Sequence, residues 1–145
     1  MAEQDSSPKQ MPRELAENLR LFTTPEAIDE YSFYRLFPQE KYLVEKYYKR
    51  GDGILDLSCG LGRTTLILHE MGMSVRGIDA SQVFIDTAKR RFPYLDLRVG
   101  NYACIEEPDS SYSHILISLN GLDYAFPESQ RETALRECAR SCPLG

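Results

Sequence analysis

The chain has no tryptophan and only 2 histidines, and its 17 Lys+Arg fall short of its 22 Asp+Glu, leaving a formal charge of -5. A deficit of basic residues argues against an extended nucleic-acid surface, because gripping a phosphate backbone draws on clustered lysine and arginine. Long apolar runs are missing too. None approaches the roughly 18 residues that span a bilayer. The polar start, with Ser6, Ser7 and Pro8, has no signal-peptide core, so a cytoplasmic chain without membrane contact is expected. The four cysteines, Cys59, Cys104, Cys138 and Cys142, form no CxxC pairs and lack the dense spacing of a secreted disulfide scaffold. They are expected as reduced thiols. Cys138 and Cys142 can share a helix face, but His69 and His114 are far from them in sequence, so packing explains the pair better than metal ligation.

Two nucleotide motifs are also absent. No G-x-x-x-x-G-K-[ST] occurs, which removes the phosphate-cradling P-loop. The turn Gly60-Leu61-Gly62 carries Thr65 where the dinucleotide fingerprint G-x-G-x-x-G needs a third glycine for close helix packing, which disfavours NAD or FAD.

What remains fits one ordinary domain of 145 residues with 42% hydrophobic content. Residues 1–11 read as a loosely held polar tail, residues 12–50 as a helical N-terminal cap in three pieces, and residues 51–145 as the main domain. The first helix is expected from Arg13 to Phe22, with Leu15, Leu19 and Phe22 on one face. Thr24 and Pro25 offer an N-cap and first-turn proline for a second, carrying Ile28, Tyr31 and Tyr34 or Arg35. Pro38 opens a third, with Leu43, Val44, Tyr47 and Tyr48 as an apolar and aromatic stripe.

Beyond Arg50 strands alternate with helices. Gly53 to Ser58 is a buried-strand candidate. Leu61 to Met71 reads as a helix with Thr64, Ile67, Leu68 and Met71 inward and Gly72 as its stop. Ser74 to Asp79 is a second strand; Ser81 caps a helix burying Phe84, Ile85, Ala88 and Phe92. Leu95 to Val99 and His114 to Leu119 complete the strands, and Glu128 to about Ser141 forms a helix burying Leu135, Cys138 and Ala139. Such alternation implies right-handed crossovers and a doubly wound, mostly parallel α/β sheet of Rossmann-like type.

The chemistry concentrates at the first strand and loop. Gly60 and Gly62 remove side chains where strand turns into helix, so a ligand can approach the backbone. Asp79 ends the second strand, where a carboxylate can accept hydrogen bonds from both hydroxyls of a ribose. Asp56 stands inside the first strand just before the loop. There it would repel a pyrophosphate and suits a cation.

With those residues in place, Ile54-Leu55-Asp56-Leu57-Ser58-Cys59-Gly60-Leu61-Gly62-Arg63 resembles the first motif of the class I S-adenosylmethionine-dependent methyltransferases, and Gly77-Ile78-Asp79-Ala80-Ser81 resembles their second. The resemblance implies S-adenosylmethionine as cofactor. The backbone around Ser58, Cys59, Gly60 and Gly62 would hold its methionine part, Asp56 would face the ammonium, and Asp79, with Ala80 beside it, would hold the ribose. Asn101 would make a neutral contact to the adenine and Tyr102 would pack on it. Leu119 and Asn120 would border the transferred methyl. Asp123 and Tyr124 either touch the acceptor or start the next helix, and Tyr31 and Tyr34 either cover the cofactor or belong to the core. The implied activity is methyl transfer to a small-molecule acceptor, with no catalytic base identifiable; His114, at the far end of its strand, is expected to be structural. The family also implies strands beyond the fourth. The chain therefore reads as interrupted there, leaving Ile115 to Leu119 an open hydrophobic edge that invites self-association. The competing readings are a truncated, noncatalytic module that binds S-adenosylmethionine and, disfavoured by Thr65 and Asp56, a Rossmann oxidoreductase.

Overall fold

The computed structural model describes residues 17, 20–21, 23–119, 121–123, 125 and 127–143. The expected polar tail, most of the first expected helix, Asn120 and Tyr124 lie outside them. The described elements run α1 (Pro25–Glu30), α2 (Pro38–Tyr47), β1 (Gly53–Leu57), α3 (Arg63–Glu70), β2 (Ser74–Asp79), α4 (Gln82–Arg91), β3 (Asp96–Val99), β4 (His114–Ile117) and α5 (Glu128–Ser141).

The four strands form one sheet ordered β3-β2-β1-β4. Every pairing is parallel. β1 lies against β2 from Gly53↔Ser74 to Leu57↔Ile78, and against β4 from Ile54↔His114 to Leu57↔Ile117. β2 meets β3 from Arg76↔Asp96 to Asp79↔Val99. Strand alternation sends successive side chains to opposite faces. On one face Ile54 and Val75 pack with Val44 of α2 and Leu68 of α3, while Leu97 joins Leu66 of α3 and Ile85 and Ala88 of α4. On the other, Leu55, Leu57 and Ile78 pack with Ile105, Ile115, Ile117 and Cys138 of α5. Helices thus cover both faces, the doubly wound arrangement read from the sequence. β4 is an edge of the described sheet. Its side chains are half-buried on both faces, so what is open there is its outer backbone.

Several expected faces shift. Thr24 caps α1 through Ala27 N at 3.1 Å, yet the helix stops at Glu30, and residues 32–37 run to α2 without regular structure, so Tyr34 is not helical. On α2, Leu43 and Tyr47 are exposed; the inward face is Val44 and a buried Glu40 that has found a cationic partner. α3 begins at Arg63 rather than Leu61 because Gly62 takes φ +81, outside the helical basin. Met71 is exposed and Leu66 takes an inward place. α5 buries Ala134 and Ser141, with Cys138 half-buried, while Leu135 is 53% exposed and Ala139 is exposed as well. That inward row, spaced four and three residues, lies one step from the predicted stripe.

Candidate functional site

β1 is a fully buried strand from Ile54 onward, and the chain leaves it through Ser58 at φ +60. Gly60 follows at φ +56; Gly62 at φ +81 closes the turn with its N–H on the Cys59 carbonyl at 2.9 Å and caps α3. A Cβ at Gly60 would meet only Phe84, at 3.9 Å, so the glycine leaves open room in front of the backbone. The required close packing of helix on sheet is supplied from the other side. A Cβ at Gly77 of β2 would stand 2.7 Å from Leu97 and Thr65 Oγ1 and 2.9 Å from Cys59 Sγ. The residue that displaces the dinucleotide glycine, Thr65, fits because Gly77 yields the space.

Asp79 fastens this loop to β2. Its Oδ2 accepts from Gly60 N at 2.9 Å and its Oδ1 from Ser81 N at 2.8 Å, while Ser81 Oγ caps α4 through Phe84 N. Burial pushes the Asp79 carboxyl above its ordinary range, although these two N–H donors oppose the shift. Each oxygen keeps acceptor capacity toward the pocket that Asp79 lines.

That pocket lies at the carboxyl ends of β1, β2, β3 and β4. Its floor is Ser58, Cys59, Gly60 and Leu61; Asp79, Ala80, Ser81 and Phe84 form one side. Asn101 and Tyr102 follow from β3, and Ser118, Leu119 and Gly121 from β4. Tyr31 and Phe33 approach from the segment before α2, and Arg63 and Thr64 from the start of α3. The strand order reverses between β1 and its neighbours β2 and β4, where ligands of open α/β sheets bind.

Of the sequence-predicted residues, Tyr31, Ser58, Cys59, Gly60, Asp79, Ala80, Asn101, Tyr102 and Leu119 share this wall. Asp56 and Gly62 do not. Asp56 is fully buried, with Oδ2 accepting from Thr64 Oγ1 at 2.6 Å and Thr65 Oγ1 at 2.7 Å, so it faces the first turn of α3 rather than the pocket. Its Oδ1 has no hydrogen-bond partner among the described residues. Burial raises its pKa to about 6 against the Thr64 and Thr65 hydroxyls and Arg63, which lower it. Gly62 serves the turn itself. Asn101 spends its Oδ1 on Ala103 N at 2.8 Å, and Asp123 is exposed in a turn outside the wall. His114 lies outside this wall, stacked 4.3 Å from Tyr48 with Nε2 3.1 Å from Asp52.

Missed by the sequence reading were Phe33, Leu61, Arg63, Thr64, Ser81, Phe84, Ser118 and Gly121. The largest omission is Arg63, a buried cation opening a helix whose N-terminal dipole disfavours it. A basic residue at that position called for a buried acid elsewhere, and Glu40 answers it at 2.6 Å. Chemically the wall is sparse. Among the described lining residues there is no histidine, lysine or glutamate. Burial, then Asp79 and Asp56, keep the Cys59 thiol protonated, and burial followed by Asp79 raises the Tyr102 phenol. No cluster of metal-ligating side chains occurs among the described residues, and no described helix is long and apolar enough to cross a membrane.

A parallel sheet with a glycine turn, a loop-fastening acid at the end of β2 and a pocket at the switch point defines a nucleoside-cofactor protein of Rossmann-like type. Comparison narrows the class. A family profile described as "Methyltransferase domain" matches residues 54–144, and the chain belongs to that family, with the fold of a class I S-adenosylmethionine-dependent methyltransferase domain. The chain is 30% identical over 103 residues to a ubiquinone biosynthesis O-methyltransferase of Coxiella burnetii, covering 68% of this chain and 42% of that protein. Among solved structures, a TehB-like SAM-dependent methyltransferase from Corynebacterium glutamicum superposes with TM-score 0.65 at 28% identity, over 88% of this chain and 64% of that one. A SAM-dependent methyltransferase from Methanosarcina mazei does so with TM-score 0.66 at 28% identity, over 76% and 54%. The chain therefore spans less than half the length of the curated relative.

Proposed function

We propose that this chain forms the S-adenosylmethionine seat of a methyltransferase acting on a small-molecule acceptor, with residues 51–145 as the cofactor-binding part and the preceding helices as its cap. The observation that carries the reading is Asp79: one carboxylate that fastens Gly60 at 2.9 Å and also lines the pocket. The group fits the residues present. Gly60 leaves an uncovered backbone, Asp79 offers acceptors for a diol, and Tyr102 and Phe84 present flat apolar surface for a base.

When bound, the cofactor supplies an electrophilic methyl group on a sulfonium. The protein's part is placement. Asp79 orients the ribose, the turn from Ser58 to Leu61 positions the methionine part, and Leu119 with Gly121 bounds the space where an acceptor approaches. Alignment of two reactants is worth roughly 7–11 kcal/mol, so a wall poor in acid–base groups is compatible with catalysis. It favours acceptors that need no early loss of a proton at this wall. The same sparseness is what favours the second reading, a noncatalytic cofactor-binding module.

Calorimetry with S-adenosylhomocysteine and with NADH separates the cofactor classes. Binding of the first alone is expected, and binding of NADH alone would overturn the reading. Transfer of labelled methyl groups from S-adenosylmethionine to small molecules of a cell extract then separates enzyme from module.

A further inference from the structure

Residues 32–37 are a stretch beside the pocket with neither strand nor helix structure, and they bring Phe33 into the wall. Two arginines tie this strap down. At one end the exposed Arg91 donates Nη1 to Ser32 Oγ at 2.6 Å and Tyr34 OH at 2.9 Å, with the Tyr34 ring edge-on to Phe92 at 5.0 Å. At the other end Arg63 is buried. Its Nη1 donates to the Arg35 carbonyl at 2.8 Å and to Glu40 Oε2 at 2.6 Å; its Nη2 donates to Glu40 Oε1 at 2.7 Å and Ser118 Oγ at 3.1 Å. The guanidinium carbon lies 5.3 Å from the Phe33 ring centre and 5.0 Å from that of Phe37.

The donor count decides what Arg63 is for. Each terminal nitrogen has two hydrogens, and both nitrogens make two bonds within the protein, so four of the guanidinium's five N–H donors are committed to the fold although Arg63 borders the pocket, and only the Nε–H has no partner among the described residues. Glu40 is engaged as fully: besides Arg63 it accepts from Phe37 N at 2.7 Å and from the Ser118 hydroxyl. The two ends of the strap are therefore unequal. The Arg91 contacts compete with water and hold weakly. The Arg63 pair is shielded, and loss of either partner leaves a buried charge without its counterion.

We infer that Glu40 and Arg63 form a latch that seats the aromatic strap over the pocket, with Glu40 a positioning residue that controls how long a cofactor is retained. The inference rests on the proposed cofactor site for its ligand, and on the strap's own geometry for the rest. The latch spans three parts of the chain: α2 through Glu40, the start of α3 through Arg63, and the end of β4 through Ser118. Closing it orders the roof and fixes the Ser118 hydroxyl together. It is not a pH switch near neutrality. Burial pushes the Glu40 carboxyl up, but hydrogen bonds from Arg63, Ser118 and Phe37 outweigh it and hold the carboxyl below its ordinary value.

The test pairs amide hydrogen exchange on the ligand-free chain with S-adenosylhomocysteine dissociation kinetics, in Glu40→Gln and Arg91→Ala. In Glu40→Gln, exchange at Ser32 and Phe37, the strap amides with hydrogen-bond acceptors among the described residues, should accelerate about tenfold or more while β1 and β2 keep their protection. Dissociation should quicken about fivefold or more, with association changed less than about twofold. Arg91→Ala should move both readouts by less than about threefold. Unchanged exchange in the strap of Glu40→Gln, equal acceleration in β1 and β2, or a larger effect from Arg91→Ala would each overturn the latch. Should Glu40→Gln not fold, Glu40→Gln combined with Arg63→Gln removes both charges; a strap as protected as in the wild type would then refute the inference. Absence of S-adenosylhomocysteine binding by the wild type would sink the cofactor reading, while the exchange comparison would still decide the latch.

Discussion

Replacing Asp56 by asparagine should stabilise this protein above neutrality, and the size of the effect follows from where the carboxyl sits. Asp56 is fully buried in β1, accepts two threonine hydroxyls on Oδ2, and has no partner on Oδ1 among the described residues. Its pKa rises from 3.8 to about 6, with burial the leading cause. A folded-state pKa above the unfolded one means that the native protein binds the extra proton. The associated stability is present in full below pH 4 and is lost as pH rises through about 6. A shift of about two units corresponds to about 3 kcal/mol. Asparagine keeps an acceptor for Thr64 and Thr65 and carries no charge to bury. The difference in urea unfolding free energy, variant minus wild type, should therefore be near zero at pH 4 and grow to about 3 kcal/mol in favour of the variant by pH 7.5. Taking the difference cancels carboxyls shifted the other way, such as Asp96 and Glu137, which lose stability as pH falls. A variant less stable at pH 7.5, or a difference flat across this range, would refute the argument.

Three further substitutions probe the site. Asp79→Ala removes the acceptor of Gly60 N and Ser81 N as well as the proposed ribose contact, so S-adenosylhomocysteine affinity should fall about tenfold to a hundredfold by calorimetry; unchanged affinity would remove the ribose role. Gly77→Ala puts a Cβ within 2.9 Å of Leu97, Thr65 and Cys59 and should lower unfolding free energy by about 1–3 kcal/mol, seen as a reduced urea midpoint. Ser58→Gly relieves a left-handed backbone at φ +60 and should be neutral to about 1 kcal/mol stabilising in thermal unfolding, since the strain relieved exceeds or matches the entropy glycine adds.

The βαβ unit was legible because its signals are local. The glycine turn, the Ser81 cap and the glycine stop at Gly72 each act within a few residues, and β2 begins and ends at the predicted residues. Helix faces were less legible where a polar residue goes inward. Glu40 has no place in the expected stripe of Leu43, Val44, Tyr47 and Tyr48, yet it is buried against a partner 23 positions away, while Leu43 and Tyr47 are exposed. No periodicity in α2 contains that information. Asp56 shows the complementary failure: the sequence correctly marked an acid at the end of a buried strand, but strand alternation alone does not say whether threonines of the next helix will take up its carboxylate. Thr64 and Thr65 are that signal, legible only when β1 and α3 are considered together.

The two sides of the pocket are mechanically joined at a place the motifs do not mark. Ser58 and Leu119 leave the ends of adjacent strands, β1 and β4, and both are non-glycine residues in the left-handed region, at φ +60 and +48. Strain of this kind persists only when the surroundings over-determine it. Here they do so mutually, because Gly121 brings the loop after β4 so close that a Cβ there would stand 2.9 Å from Ser58 Cβ and from Ile117. The loop that would hold the methyl donor and the loop that would border the acceptor thus rest on each other. A side chain at Gly121 must displace Ser58, so Gly121→Ala should impair cofactor binding although residue 121 is on the opposite strand's loop. Binding unaffected by Gly121→Ala in a folded variant would show that the loops move independently.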